Sequence, residues 1–559
     1  MLSTSTLRRD ALLALLLALV LGAAWAWRAW VNLQALRLPD TDDVVRLQQI
    51  RDWLAGQAFA DLTQYRLAGG SPMHWSRLPD LIPAALIAML TPLLGSHAAE
   101  VTAVIAWPVM LFAAALLLVA RIARALGTHA PTAVAVAAIA YPATTLFLPG
   151  RIDHHGAQMV LLLGAVLALL RPASTGAGFA IGVLAAVSLV IGLETMPVLA
   201  VLGAFAIAEW VMDRRGAAAR LQGLGVGALV ALAAAKGIFA TSAWDLPACD
   251  GFTRQAWQGA VAVAPAPLLL ALLDQRLSGW RARLGAAAPA AIVAAGAALW
   301  LSPACLRPYG GVDPVMARLW LAEVGEAQSL FAAPFATALG YAGLMIAGLI
   351  GSIWQWRVTR SWGWAALLTC QVAALAVTLM SLRGAYAGAL LATPALAAAI
   401  TAAREKGALR LSAAWIASAG MLYPLAANAL TPAAASAPQG SGDCGSTAML
   451  AALDALPVGT VIAPIDAGAY ILAGTRHRVL AAPYHRNGQG NREVYAFYLG
   501  EAAQAAAVAR HAGADYALAC AAMPGPARAS ALPGWGALVT LPDGAIIYAP
   551  RLSREPAER

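Results

Sequence analysis

Apolar blocks of about 17–22 residues recur along this 559-residue chain, each long enough to cross a hydrocarbon core roughly 30 Å thick. Ala11–Trp30, Leu221–Ala240, Pro334–Ile353 and Leu409–Ala427 are examples. Blocks of this length are read as transmembrane helices. Composition agrees: 60% of residues are hydrophobic, 12% are charged and the mean hydropathy is +0.69, whereas a soluble domain carries roughly a quarter charged residues. The first block is long and lacks a small-residue cleavage site, so it is read as a span rather than a removable signal.

The formal charge of +9 suggests a nucleic-acid partner only until its distribution is read. The basic residues occupy alternate short loops: Arg8 and Arg9; Arg121 and Arg124; Arg171; Arg214, Arg215 and Arg220; Arg276, Arg281 and Arg283; Arg357 and Arg360; Arg404, Lys406 and Arg410. Only Asp10, Asp213, Asp274 and Glu405 accompany them as acids. Positive short loops mark the cytoplasmic side of a membrane protein, so no nucleic acid is expected and the N-terminus is placed inside.

Spans are expected at Ala11–Trp30 and at roughly 98–120, 131–149, 157–171, 176–191, 195–212, 221–240, 257–273, 285–301, 333–353, 363–381, 384–402 and 409–428, about thirteen in all. Leu81–Gly95 is apolar but short and is either a surface helix or an extra span. An odd count places the C-terminus outside. The expected fold class is an α-helical multi-pass membrane protein with a small C-terminal α/β domain outside the membrane. Its domains run 1–430 for the membrane region, 431–442 for an Ala/Pro/Ser/Gly linker and 443–559 for the outer domain. Outer loops fall at 31–97, 150–156, 241–258 and 302–331. In the outer domain, helices are expected at Thr447–Leu456 and Ala502–Ala512. Strands are expected at Thr460–Ile465, Val479–Ala482 (followed by a Gly/Asn loop) and Tyr516–Ala519, with a hairpin around Pro542-Asp543-Gly544.

Four of the five cysteines fall outside: Cys249 and Cys305 in two outer loops, Cys444 and Cys520 in the outer domain. An oxidising compartment permits the disulfides Cys249–Cys305 and Cys444–Cys520, although spacing does not fix connectivity and four free thiols remain the alternative.

Most acids outside the outer domain also gather on the outer face, where a transporter would carry its working charges at mid-membrane. Asp40-Thr41-Asp42-Asp43 follows the first span: either an acidic helix cap or a set of oxygen ligands for a hard divalent ion. Arg151-Ile152-Asp153-His154-His155 forms a loop of a few residues, with Asp153 and His155 spaced to share a side. Leu321-Ala322-Glu323-Val324-Gly325-Glu326 lies in a long outer loop and reads as a helical turn unless Glu326 serves a site. Arg383, at the outer end of a span, either snorkels or binds phosphate. Glu194, in a short outer turn, and Lys236, in a span, are charges that need a reason.

The order Asp42-Asp43, Asp153-His154-His155, Glu323-Val324-Gly325-Glu326, Arg383 resembles the catalytic subunit of oligosaccharyltransferases, multi-pass C-type glycosyltransferases with an outer C-terminal domain. Ser71-Pro72-Met73-His74-Trp75 through Asp80 resembles the segment before that family's second span. The resemblance implies a divalent metal, Mg²⁺ or Mn²⁺, held by Asp42, Asp153 and His155. It implies Asp42 and Glu326 as catalytic carboxylates facing the acceptor, and Arg383 on the phosphate of a lipid-linked sugar donor lying in the membrane lipid. It also implies residence in a plasma membrane, here a bacterial inner membrane, with the outer domain periplasmic. One motif departs. Where the family has Trp-Trp-Asp-Tyr-Gly to read an asparagine sequon, this chain has Pro464-Ile465-Asp466-Ala467-Gly468. Asp466 and Gly468 remain, the tryptophans do not, and Pro483-Tyr484-His485-Arg486-Asn487 offers a polar loop instead. Asp466, Tyr484, His485 and Arg486 are the acceptor-side candidates, and the acceptor is left open among protein, lipid and glycan. A transporter, flippase or scaffold of lipid-linked glycans is the alternative, separable by metal-dependent activity of the purified protein.

Overall fold

The computed structural model describes residues 4–306, 312–430, 444–520, 532 and 534–551; the expected linker 431–442 lies outside them, as does the side chain of Glu323. The chain divides into two compact units. Met1–Trp30, His74–Pro308 and Glu323–Pro432 form the first; Val31–Met73, Tyr309–Ala322 and Ala433–Arg559 form the second.

The first unit is helical. Its helices are α1 (Thr4–Arg28), α2 (Leu81–Leu94), α3 (Ser96–Ala125), α4 (Ala130–Ala137), α5 (His155–Leu170), α6 (Thr175–Ile191), α7 (Met196–Val211) and α8 (Ala217–Phe239). They continue with α9 (Arg254–Val263), α10 (Pro265–Leu272), α11 (Gly279–Leu301), α12 (Phe335–Thr359), α13 (Trp362–Met380), α14 (Gly384–Arg404), α15 (Ala408–Ser418) and α16 (Leu422–Leu430). Eight segments among the described residues have the length and hydropathy of a full span, α9 and α10 counting together as Arg254–Leu272. α5, α6 and α7 are apolar but shorter, at 16, 17 and 16 residues. The protein is thus an integral membrane protein of many helices, although length and composition alone do not reach thirteen full spans.

Two expected spans are broken, and they break side by side. Residues 131–149 form α4, then a cis Tyr141–Pro142 bond and a 3-10 turn at Ala143–Phe147, because proline cannot donate into a helix ladder. Residues 409–428 divide at Gly420 into α15 and α16. A Cβ on Gly420 would stand 2.6 Å from the Tyr141 amide nitrogen, so only glycine lets one broken backbone rest on the other. Irregular backbone at membrane depth survives where protein covers it, as here.

α6 and α8 form a backbone-to-backbone contact. A Cβ on Gly178, Gly182, Gly223 or Gly227 would collide with the carbonyl oxygens of Arg220, Leu224, Thr175 and Phe179 respectively. Glycines four apart on both helices allow this approach, the usual route to tight association where lipid removes the hydrophobic incentive. α14 is the most deeply covered of the eight full-length segments, with 83% of its apolar window buried. Cys249 and Cys305 are joined in a disulfide.

The second unit is an α/β domain on a five-stranded sheet. Its strands are β1 (Thr460–Ile462), β2 (Arg478–Val479), β3 (Tyr516–Ala519), β4 (Trp535–Thr540) and β5 (Ile546–Pro550), in spatial order β2-β1-β3-β5-β4. β1 runs parallel to β2 and β3, while β5 is antiparallel to β3 and β4, giving the expected hairpin. The first outer segment is part of this domain: the Ala68 amide donates to the Val479 carbonyl at 2.8 Å and the Val479 amide to Arg66 at 2.8 Å. Arg66 also donates to the carbonyls of Leu472, Thr475 and His477, and Arg51 to that of Ala473, so two cations cap the end of helix Ile465–Gly474. Cys444 and Cys520 are bonded. Two expectations are corrected. The strand begun at Thr460 ends at Ile462 and gives way to that helix, and the supposed Gly/Asn loop is helix Gly488–Leu499.

Replacing Gly182 by Leu is expected to cost about 1–3 kcal/mol through overpacking on α8. The purified protein should lose thermal stability, while Gly176→Ala, where a Cβ meets nothing within 4 Å, should leave it unchanged.

Candidate functional site

After Gly150 the chain turns and α5 begins at His155, with His154 in the capping position. The free amides of that first turn favour negative charge nearby. Asp153, His154 and His155 are all buried, 5–6% exposed, and a buried charge must be paired. His154 satisfies both ring nitrogens with carboxylates: Nδ1 meets Asp153 Oδ1 at 2.5 Å and Nε2 meets Glu194 Oε1 at 3.2 Å. Glu194 comes from the turn between α6 and α7 and accepts from Gln158 Nε2 at 2.7 Å. Burial alone would lower the His154 pKa; the Asp153 and Glu194 carboxylates overcome it and hold His154 up at about 10. Glu194 is held low: burial opposes ionisation, and the His154 cation more than offsets it.

His155 points elsewhere. Its Nε2 lies 3.4 Å from Asp153 Oδ2 and 3.9 Å from Glu326 Oε1. Glu326 sits in the 3-10 turn Gly325–Ala327, which the turn between α13 and α14 holds in place: Ser381 Oγ donates to the Glu326 carbonyl at 3.0 Å and the Leu382 amide to Gln328 at 2.9 Å. Arg383 then reaches Glu326 Oε1 through Nε at 3.0 Å and Nη2 at 2.6 Å, and the Tyr386 hydroxyl donates to Oε2 at 3.2 Å. Desolvation pushes the Glu326 carboxyl up, but Arg383 and then His155 hold it below its usual range.

Ligand atoms of Asp153, His154 and His155 all lie within 4.8 Å of one another, so this group could hold a metal ion. Because His154 already spends both nitrogens on carboxylates, the atoms best placed for an ion are Asp153 Oδ2 and His155 Nε2. A carboxylate oxygen with an imidazole nitrogen is a fitting pair for a divalent cation. Asp153, His155, Glu326 and Arg383, remote in sequence, therefore share one end of the first unit. Glu194 joins them although its sequence position marked it only as an odd charge in a turn. Gln158 and Tyr386 were not anticipated; each follows a charged residue at helical spacing, Gln158 four after His154 and Tyr386 three after Arg383, which was the available signal. Lys236 lies apart, 4.6 Å above the Trp257 ring.

Asp42 belongs to the second unit, in the first turn of helix Thr41–Leu54, whose cap Asp40 accepts from the Asp42 amide at 3.1 Å. There Asp466 opens helix Ile465–Gly474; desolvation by the surrounding chain and then the Asp40 carboxylate push its carboxyl above the usual range. Tyr484 is buried and donates its hydroxyl to the Pro72 carbonyl at 2.7 Å, a structural tie. His485 stacks at a tilt on Tyr484, and Arg486 is partly buried, its pKa lowered by desolvation to about 10.

No family profile and no curated protein matches the sequence. Solved structures do match. The archaeal oligosaccharyltransferase AglB from Archaeoglobus fulgidus, in complex with an inhibitory peptide and a dolichol-phosphate, aligns with a TM-score of 0.65 at 14% identity, over 90% of this chain and 69% of that one. The Archaeoglobus fulgidus oligosaccharyltransferase tethered to an acceptor peptide containing the NVT sequon aligns at 0.64 and 14% identity, over 100% and 75%. Its complex with Zn and sulfate aligns at 0.58 and 15% identity, over 97% and 74%. The chain has the fold of archaeal oligosaccharyltransferases.

The Glu326–Arg383 pair is expected to be energetically coupled. A double-mutant cycle of Glu326→Gln and Arg383→Leu, read by unfolding of the purified protein, should give about 1–3 kcal/mol, less than a fully buried pair because both side chains are 22% exposed.

Proposed function

We propose that this protein is a membrane glycosyltransferase that moves a sugar or oligosaccharide from a polyprenyl-(pyro)phosphate carrier to an acceptor on the outer face of a bacterial inner membrane. The N-terminus is then cytoplasmic and the second unit periplasmic. The observation that carries the reading is the convergence, within an oligosaccharyltransferase fold, of Asp153, His155, Glu326 and Arg383 at one end of the helical unit. The solved relatives' complexes with a dolichol-phosphate and with an acceptor peptide support a lipid-linked donor and an outer acceptor.

Asp153 and His155 are assigned as ligands of a divalent ion, Mg²⁺ or Mn²⁺, and Asp42 keeps the ligand role that the family resemblance gives it. Such an ion supplies Lewis acidity toward a phosphate leaving group. His154, fixed between Asp153 and Glu194, orients the Asp153 carboxylate so that its second oxygen faces His155. Arg383 supplies charge-assisted hydrogen bonds to the donor phosphate, exchanging its bond to Glu326 for the substrate. In the transfer itself, the acceptor's nucleophilic atom bonds to the anomeric carbon as the carbon–oxygen bond to phosphate breaks. The phosphate leaves with the electron pair, and the acceptor's proton passes to Asp42 or Glu326. Glu326, held ionised by Arg383, is ready to accept a hydrogen bond from the acceptor and orient it.

The acceptor differs from an asparagine sequon in this reading. The tryptophan pair of the family's sequon-reading motif is replaced by Pro464 and Ile465, of which Ile465 is buried in the core of the second unit, 6% exposed. Asp466, His485 and Arg486 remain as candidate contacts to a protein, lipid or glycan acceptor.

Mass spectrometry of cell-envelope glycoconjugates, with and without the protein, should reveal a missing modification. Asp42→Ala, Asp153→Ala and Glu326→Ala should each abolish transfer while leaving the protein folded in membranes. Near-normal transfer by the Asp153→Ala protein would refute the metal assignment.

A further inference from the structure

At the opposite ends of the helices that carry the charged cluster lies a second polar site. α5 ends at Leu170, about 24 Å of helix from His155. Here α5, α7, α8 and α13, with the loops 171–173 and 212–216, surround a cavity of about 810 Å³. Four arginines line it: Arg171, Arg214, Arg215 and Arg220. So do two acids, and both are already neutralised. Glu209 is paired with Arg220, and Asp213 with Arg283 at 2.8 Å. Arg171, Arg214 and Arg215 form no ion pair among the described residues, leaving three positive charges directed at one concavity.

The cavity is built rather than incidental. Arg220 is 1% exposed and is fixed by Glu209 and by the Arg171 carbonyl, yet its Nε–H finds no acceptor among the described residues. Arg214 stacks over the Trp362 ring at 5.0 Å, which holds its guanidinium at the wall. The rest of the lining is apolar, including Leu169, Phe205 and Ala366. A cationic floor with apolar walls, at the inner end of a helix bundle, matches a phosphate headgroup with acyl chains and suits neither a soluble metabolite nor a neutral lipid.

We infer that this cavity binds the phosphate of an anionic glycerophospholipid of the cytoplasmic leaflet, beneath the helices whose outer ends carry the Asp153–His155–Glu326 cluster. Arg171, Arg214 and Arg215 supply the charge, and the buried Arg220–Glu209 pair sets the floor. The site is independent of whether the protein transfers sugar.

Native mass spectrometry of the purified full chain tests it, with phosphatidylglycerol, phosphatidylcholine and inorganic phosphate as probes. Phosphatidylglycerol should be retained on the wild type in preference to phosphatidylcholine. Arg171→Gln/Arg214→Gln/Arg215→Gln should weaken that retention on the order of 100-fold, each basic residue near an anionic headgroup contributing about fivefold. Arg171→Lys/Arg214→Lys/Arg215→Lys preserves the charge and the positive inner loops, and should retain most of the binding. Equal retention of the two lipids by the wild type, or undiminished phosphatidylglycerol on the Gln variant, would overturn the site. Inorganic phosphate displacing the lipid at the lipid's own concentration would overturn the lipid assignment.

Discussion

A charge among apolar helices must be paired or reach water, and this requirement organises the first unit. Among the described residues its buried ionic groups gather at helix ends and in the loops beside them. At one end His154 is held between Asp153 and Glu194, and Glu326 is gripped by Arg383 and Tyr386. At the other, Glu209 meets Arg220, while Arg283 serves both Asp213 and Asp274. The glycine-lined α6–α8 contact joins these two regions: Gly178 packs on the carbonyl of Arg220, and Glu194 follows the far end of α6. Close backbone packing therefore fixes the spacing of the ends that the polar groups occupy.

Within the outer cluster, the division of labour follows from how each nitrogen is spent. Both ring nitrogens of His154 are committed to carboxylates, so it positions Asp153, whereas His155 Nε2 has Asp153 and Glu326 at 3.4 and 3.9 Å, short of firm hydrogen bonds. Two carboxylates around one imidazole nitrogen, without a tight contact to either, is an arrangement a shared cation would improve. The same reasoning makes the Arg383–Glu326 pair exchangeable. A guanidinium bound to a partly exposed carboxylate loses little by turning to a phosphate that carries more charge.

Hydropathy made the helical blocks legible, because span length and apolar content are set by the bilayer. It could not locate the breaks at Pro142 and Gly420, since both sit in apolar sequence and only the backbone departs from helix. In the second unit, Gly488 and Gly490 read as loop residues. Yet a Cβ on Gly490 would strike the Leu480 carbonyl, so that glycine is a packing requirement inside helix Gly488–Leu499 rather than a turn. Asp153, His155, Glu326 and Arg383 each had a bland reading by residue type and place, and only their order along the chain, through the family resemblance, set them together. Glu194 was noticed as an anomaly, but its partners, 36 and 40 residues back, could not be read from pattern. Gln158 and Tyr386 stand in apolar helices, where a lone polar residue is easily taken for tolerance.

The altered sequon motif has a physical consequence. In the second unit, Ile465 belongs to the apolar core and Gly468 abuts the Ala481 carbonyl, so the segment that could have displayed aromatic side chains instead packs inward as the start of a helix. Its end is fastened by Arg51 and Arg66 from the first outer segment, which ties the helix carrying Asp466 to the helix carrying Asp42. Asp466 keeps its carboxylate within electrostatic reach of Asp40, and in the function proposed above an acceptor would meet that carboxylate with the His485 imidazole and the Arg486 guanidinium in place of the tryptophan rings. Such a surface recognises hydrogen-bonding and charged groups more readily than the methyl group of a threonine.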